Sequence, residues 1–223
     1  MTESRPLLEA RQVFKGFFGN PVLKGVDIAL LPGRVHALLG ENGAGKSTLI
    51  NLLSGALQPD SGTISVDGKP VGRFSPAAAR AAGIAVVQQE LSLTADLSIA
   101  ENIGLGAFPR RFGLIDYAAL HRGVREVCDM VGLTEPLDMP VADLALGRRQ
   151  MVEIAKALFR KPRVLILDEP TSSLSAHEAG ILARLIETLR DRGTALLYIS
   201  HRLNEVQALC SHVTVLKDGG VTA

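Results

Sequence analysis

Charge of one sign, cysteine and long apolar runs are all scarce in this 223-residue chain. Lys and Arg number 24 against 23 Asp and Glu, so the formal net charge is only +1. Domains whose main partner is a nucleic-acid backbone are usually strongly basic, so a nucleic-acid binder is disfavoured. Two cysteines, Cys128 and Cys210, are too few for a disulfide framework. Both lie in apolar, helix-like stretches and read as reduced, buried, structural thiols. No apolar run approaches the roughly 20 residues that span a bilayer. The opening MTESRPLLEARQ carries no apolar h-region and does not read as a secretory signal. A cytoplasmic protein is expected, with any membrane association peripheral.

What is present is an ordinary globular composition, 47% apolar and 21% charged. The length suits one α/β domain or two small ones. Mean hydropathy is +0.22, slightly high for a soluble chain, and points to apolar surface that meets a partner. Residues 7–13 and 22–31 read as strands, and a hairpin closes at Asp67-Gly68, so the early strands look antiparallel. Ser75-Pro76 opens a short helix that Gly83 ends. Ile84 to Val87 is another strand leading into Gln88-Gln89-Glu90, and from there to about Lys161 the pattern is mostly helical, with a capping box at Ser98 and Glu101 and a cap at Asp116. Tyr117, Leu120, Val124, Val127 and Val131 mark one helical face. Buried strands at 164–167 and 195–199 flank a helix with its own capping box, Ser175 and Glu178. Short apolar strands alternating with helices predict an α/β fold with a mainly parallel, helix-covered sheet.

The stretch from Gly40 to Thr48, GENGAGKST, fits G-x-x-x-x-G-K-[ST] between a strand and a helix. Glycines let the backbone curl so that N–H groups of Glu41, Asn42, Gly43, Ala44 and Gly45 surround phosphate oxygens, and the helix N-terminus adds its positive end. Lys46 would reach the β- and γ-phosphates, the Ser47 hydroxyl would ligate Mg²⁺, and Thr48 would touch the α-phosphate. This predicts binding of ATP or GTP. Asp168-Glu169 ends the strand VLILDE, where α/β folds place ligand chemistry. Asp168 would join the Mg²⁺ shell and Glu169 would polarise the attacking water. His201, after the strand in YISHR, is placed to sense the γ-phosphate. Gln89, after the strand at 84–87, is placed to reach Mg²⁺ or the water. Taken alone, each of these two would be an unremarkable loop residue.

GENGAGKST, VVQQE, LALGRRQMVEIAKAL, VLILDEPTSSLS and YISHRLNE together resemble the nucleotide-binding domain of ABC transporters: Walker A, Q-loop, signature, Walker B with D-loop, and switch histidine, in that order. The resemblance covers nearly the whole chain. It implies a P-loop NTPase fold with an N-terminal antiparallel β-subdomain and an inserted helical subdomain at about 91–161. It also implies that Phe17 stacks on adenine, with Phe18 the competitor. IAENIGLG, RRFGLIDYAAL and ISHRLNEV are similar to the ATPase subunits of bacterial monosaccharide importers of the ribose and galactose type. Those subunits carry two such domains, and this chain resembles the first, so it is expected to be one half of a two-domain polypeptide. The implied partners are membrane permease subunits, a second ABC ATPase domain and, indirectly, a periplasmic sugar-binding protein. The implied place is the cytoplasmic face of the membrane.

The signature usually begins Leu-Ser-x-Gly, but here it reads Leu144-Ala145-Leu146-Gly147-Arg148. In this family each signature completes the partner domain's site, so Leu144, Ala145, Gly147 and Arg148 are expected to act in trans. The serine hydroxyl missing at Ala145 removes a charge-assisted hydrogen bond worth roughly 1.5–3 kcal/mol. Ser175 stands where the D-loop of this family commonly has Asp, and it can still cap the helix that follows. Three alternatives compete: a non-transport ABC ATPase on nucleic acid or ribosomes, against which the near-neutral charge counts; a GTPase switch or kinase, for which no Asn-Lys-x-Asp guanine-reading motif exists; and an assembly module with weak hydrolysis, to which Ala145 lends weight.

Overall fold

The computed structural model describes residues 5–222. A hairpin of β1 (Leu8–Phe17) and β2 (Asn20–Leu30) is followed by β3 (Val35–Leu39), α1 (Lys46–Leu53), a second hairpin of β4 (Ser61–Val66) and β5 (Lys69–Val71), α2 (Pro76–Ala81) and β6 (Ile84–Val87). Then come α3 (Ile99–Gly104), a small hairpin of β7 (Arg110–Arg111) and β8 (Leu114–Ile115), α4 (Tyr117–Met130), a 3₁₀ turn (Val141–Asp143) and α5 (Leu146–Phe159). β9 (Val164–Asp168), α6 (Ala176–Asp191), β10 (Ala195–Ile199), α7 (Leu203–Leu209), β11 (His212–Lys217) and β12 (Gly220–Val221) follow. Two compact units emerge. The first takes the described residues of 1–86, 162–169 and 186–223, the second those of 87–161 and 170–185. The second is thus wider than the 91–161 segment read as helical from the sequence, because it includes the first part of α6.

The first unit holds two sheets. One is four-stranded and antiparallel in the order β2-β1-β4-β5, the other six-stranded in the order β12-β11-β3-β10-β9-β6. β10 pairs in parallel with both β3 and β9, and β11 in parallel with β3. All five residues of β10 and the first four of β9 are buried, as expected of central parallel strands covered on both faces. One apolar cluster unites both sheets with α1, drawing on Leu8, Val26, Leu49, Leu53, Ile64, Ile166 and Leu197. β1 and β2 are longer than the 7–13 and 22–31 read from alternation. Register shifts between Ala10 and Val13 and again at Phe14 break the two-residue period, which hides the strand's continuation to Phe17.

The second unit is built on α3, α4 and α5, which pack on one another. Both capping devices appear as expected: Ser98 and Glu101 exchange side-chain-to-backbone bonds, and Asp116 accepts from Ala119 N–H. The segment read as mostly helical contains α3, α4 and α5, and with them the β7–β8 hairpin, which is too short to leave a periodic signal. One expectation fails here. Tyr117 is 57% exposed, although Leu120, Val124, Val127 and Cys128 on the same helix are buried. Cys128 is buried, and desolvation pushes its thiol up to about 11. Cys210 is only partly buried and sits beyond α7 rather than inside a helix.

Asn102 anchors the loop ahead of α3. It is fully buried; its Oδ1 accepts from Thr94 N–H, and its Nδ2 donates to the carbonyls of Thr94, Leu97 and Ser98. Asn102→Leu strands the Thr94 N–H without a partner. The expected loss is about 2–3 kcal/mol in urea unfolding. An unchanged midpoint would show that the loop is held by something else.

Candidate functional site

In the first unit, the parallel register brings distant segments to one sheet edge. Ile199 of β10 pairs with Leu38 of β3 on one side and Asp168 of β9 on the other. One residue further, the chain leaves the sheet at Leu39-Gly40, at Glu169 and at Ser200-His201. The glycine-rich loop, the acid pair and the histidine therefore emerge at the same carboxyl edge, where open α/β sheets bind ligands.

The loop between β3 and α1 is shaped by backbone contact. A Cβ on Gly40 would lie 2.4 Å from the Leu216 carbonyl oxygen, so the chain there closes on β11 without room for a side chain. Gly45 caps α1 in the left-handed region at φ 106°, and a Cβ on it would meet Leu23 at 2.7 Å. Glu41, Asn42 and Gly43 are exposed above buried Ala44 and Gly45. No side chain caps α1, and its first backbone bond runs from Leu49 N–H to Gly45 C=O. The N–H groups of Lys46, Ser47 and Thr48 thus have no acceptor inside the helix, which makes this end an anion cradle. The Lys46 ammonium folds back over the loop, donating to the Gly40 carbonyl at 2.7 Å and the Glu41 carbonyl at 3.0 Å.

Asp168 is half-buried. Desolvation raises its pKa, the Glu169 charge adds to this, and Lys46 pulls the other way. Glu169 turns off the strand in the left-handed region at φ 46°, its N–H donating to the Ile199 carbonyl at 3.0 Å. A non-glycine residue in that region costs of order 1–3 kcal/mol, which the surrounding fold must offset. Glu169 Oε1 lies 3.5 Å from Nδ1 of the exposed His201. Among the described residues no group of three or more His, Cys, Asp and Glu side chains is placed to hold a metal ion. Ser47 and Asp168 supply hard oxygens, the donor type that suits Mg²⁺ carried on a polyphosphate.

The turn bearing His201 is held by a residue the sequence reading passed over. Glu205 Oε2 accepts from the Tyr198 hydroxyl at 2.7 Å and the Ser200 hydroxyl at 3.0 Å, and Oε1 accepts from Arg202 at 3.3 Å. The signal was there: a tyrosine inside a wholly buried strand needs a partner for its hydroxyl, and an acid follows in the first turn of α7. Phe17 ends β1 with the Lys15 ammonium 5.6 Å above its ring, while Phe18 forms the turn tip and is wholly exposed. Gly45 packs against Val22 and Leu23 at the start of β2, so this turn lies beside the glycine-rich loop.

The second unit carries Gln89 and the signature. Gln89 is exposed in the loop after β6. Three residues later Ser92 ties that loop to α5, donating to Glu153 Oε1 at 2.7 Å and accepting from Lys156 at 2.9 Å. Glu153 and Gln150 are buried polar groups on α5 that the sequence reading also missed. Leu144 is buried, and Ala145 caps α5 in extended conformation with no side-chain bond. Arg148 forks onto Glu135 at 2.5 and 2.6 Å and donates to the Gly132 carbonyl at 2.9 Å. This pairing lowers the Glu135 pKa and raises that of Arg148, so the guanidinium is engaged inside its own unit. Ser175 caps α6, exchanging bonds with Glu178.

The chain matches the family model for the ABC transporter over residues 23–172. It is 53% identical over 215 residues to "Ribose import ATP-binding protein RbsA 1" of Rubrobacter xylanophilus, covering 96% of this chain and 43% of that protein. It is 48% identical over 205 residues to "Arabinose import ATP-binding protein AraG 1" of Burkholderia lata, covering 92% and 41%. The chain therefore spans less than half the length of these relatives. Among solved structures, a nucleotide-free ATP-binding cassette from an ABC transporter superposes with TM-score 0.85 at 26% identity, over 98% of this chain and 90% of the other. The ADP conformation of another ABC transporter cassette gives TM-score 0.85 at 27% identity, with the same coverage.

Proposed function

As this chain belongs to the ABC transporter family of ATP-binding domains, we propose that it binds and hydrolyses ATP to power uptake of a monosaccharide. The observation that carries this reading is the shared edge where the glycine-rich loop, Asp168-Glu169 and His201 meet. The names of the relatives point to import of ribose-like and arabinose-like sugars. The working place would be the cytoplasmic face of the membrane, against permease subunits, with a second ATPase domain opposite. A periplasmic sugar-binding protein would act only through the permease, and nothing in this reading calls for nucleic acid.

In this mechanism the N–H groups from Glu41 to Thr48 cradle the phosphates, and Lys46 leaves its two loop carbonyls to neutralise the β- and γ-phosphates. Ser47 and Asp168 would hold Mg²⁺, which would supply charge neutralisation of the phosphate oxygens; Gln89 is the residue of the second unit proposed to act on Mg²⁺ or the water. Glu169 polarises and orients water for in-line attack, and His201 contacts the γ-phosphate. Phe17 stacks on adenine with the ring face that Lys15 does not cover. The stabilisation is electrostatic and positional throughout.

The signature around Leu144, Ala145 and Gly147 would complete the facing domain's site. Arg148 would contribute by bracing α5 through Glu135. Ala145→Ser supplies both an N-cap and a γ-phosphate donor. Paired with a second cassette that has an intact glycine-rich loop, it is expected to raise turnover at that composite site about tenfold or more. The helix cap alone should stabilise the chain by about 0.5–1 kcal/mol. Stabilisation without any gain in turnover would mean that this signature serves assembly and not hydrolysis.

A further inference from the structure

The β7–β8 hairpin has no role in the nucleotide chemistry, yet it concentrates unusual features. Its turn is Phe112-Gly113, with φ 53° and 84°, so both central residues are left-handed. Asn or Gly is the favoured residue at the first of these positions, whereas a bulky aromatic is strained there. The ring gains no burial in return: Phe112 is 92% exposed, and Leu114, beside the turn, is 75% exposed. Leu105 and Tyr117 nearby are also exposed. The Arg111 guanidinium sits 5.4 Å from the Phe112 ring centroid, so cation and aromatic form one amphipathic tip.

The charge around this tip is one-sided. The hairpin itself, residues 110–115, carries two arginines, Arg110 and Arg111, both exposed, and no acid. Asp116, the next residue, is committed to capping α4.

We propose that the β7–β8 tip is a lipid-contacting site, in which Phe112 and Leu114 enter the interfacial region of an anionic bilayer while Arg110 and Arg111 pair with its phosphates. A bilayer fits better than an acidic protein face. The tip is a two-residue turn between two-residue strands. Six residues, 110–115, are few beside the roughly 20–30 residues a side of a stable protein interface. Exposed aromatics flanked by arginines are the residue types that settle at a headgroup boundary, and they need no complementary groove. The proposal does not depend on ATP chemistry and stands or falls apart from it.

The test is co-sedimentation of the 223-residue chain with phosphatidylcholine vesicles, with and without phosphatidylglycerol, at low and high salt, without nucleotide. Binding is expected only with phosphatidylglycerol and should weaken with salt. Arg110→Ser with Arg111→Ser should weaken it about thirtyfold, from about 1 kcal/mol per arginine near an anionic surface. Phe112→Asn should weaken it about tenfold through lost apolar burial. Asn suits the left-handed turn, so this variant should melt no lower than the parent, which separates lost contact from lost fold. Binding unchanged in both variants, or equal on neutral and anionic vesicles, overturns the proposal. So does a loss that appears only in lipid-free capture of permease subunits in detergent, because that result assigns the tip to a protein face.

Discussion

Lys46→Ala is expected to lower affinity for ATP by at least a hundredfold, read by calorimetry or by a fluorescent analogue. The ammonium is now held by two loop carbonyls at 2.7 and 3.0 Å, so it is already poised over the cradle. Charge-assisted contacts to phosphate contribute roughly 1.5–3 kcal/mol each. Losing two of them gives a deficit of about 3–6 kcal/mol, or on the order of 10²–10⁴ in affinity. A second readout is independent of ligand. Lys46 holds the raised pKa of Asp168 down, so its removal should drive that pKa further up, visible by NMR titration of the carboxyl. The loop itself loses only two exposed or half-exposed hydrogen bonds, so the fold should persist. ATP binding within a few-fold of the parent would refute the phosphate role of this lysine.

Glu169→Gln should separate binding from hydrolysis. The side chain is isosteric, and the left-handed backbone at residue 169 is no harder for Gln than for Glu. Nucleotide affinity should therefore remain, while turnover falls about 10²–10⁴-fold through loss of the group proposed to polarise water. Glu169 also raises the Asp168 pKa, so its neutralisation should lower that pKa toward the ordinary carboxylate range, opposite in sign to Lys46→Ala. These opposed shifts give a check that does not rely on activity. Hydrolysis by Glu169→Gln at the parent rate would move the activating role to another residue, with His201, 3.5 Å away, the first to examine.

The elements legible in the sequence were those with strong local codes. The two capping boxes, the Asp116 cap, the Asp67-Gly68 hairpin turn and the buried strands all form where expected. Misreadings fell where a local code is weak. Bulges interrupted the alternation of β1, and the β7–β8 strands of two residues each lie below any periodic window. Tyr117 satisfied the helical spacing of the apolar face yet stays exposed at the first position of α4, while Leu120, three residues on, is fully buried. Glu205, Ser92 and Glu153 went unnoticed because a polar residue's importance depends on what lies opposite it in space.

The sequence by itself determined the chemistry available to this protein. A lysine after a glycine-rich turn, an acid pair after an apolar strand and an alanine at the head of the signature are covalent facts that no fold alters. Only the tertiary structure decided how those groups meet. The register pairing Ile199 with both Leu38 and Asp168 joins segments 161 and 31 residues apart in the chain at one edge, and non-local parallel pairing leaves no mark in any one stretch of sequence. The same holds for the engagement of Arg148 by Glu135 and for the exposed, strained Phe112: in both, the residue type was plain, and its surroundings decided what it does.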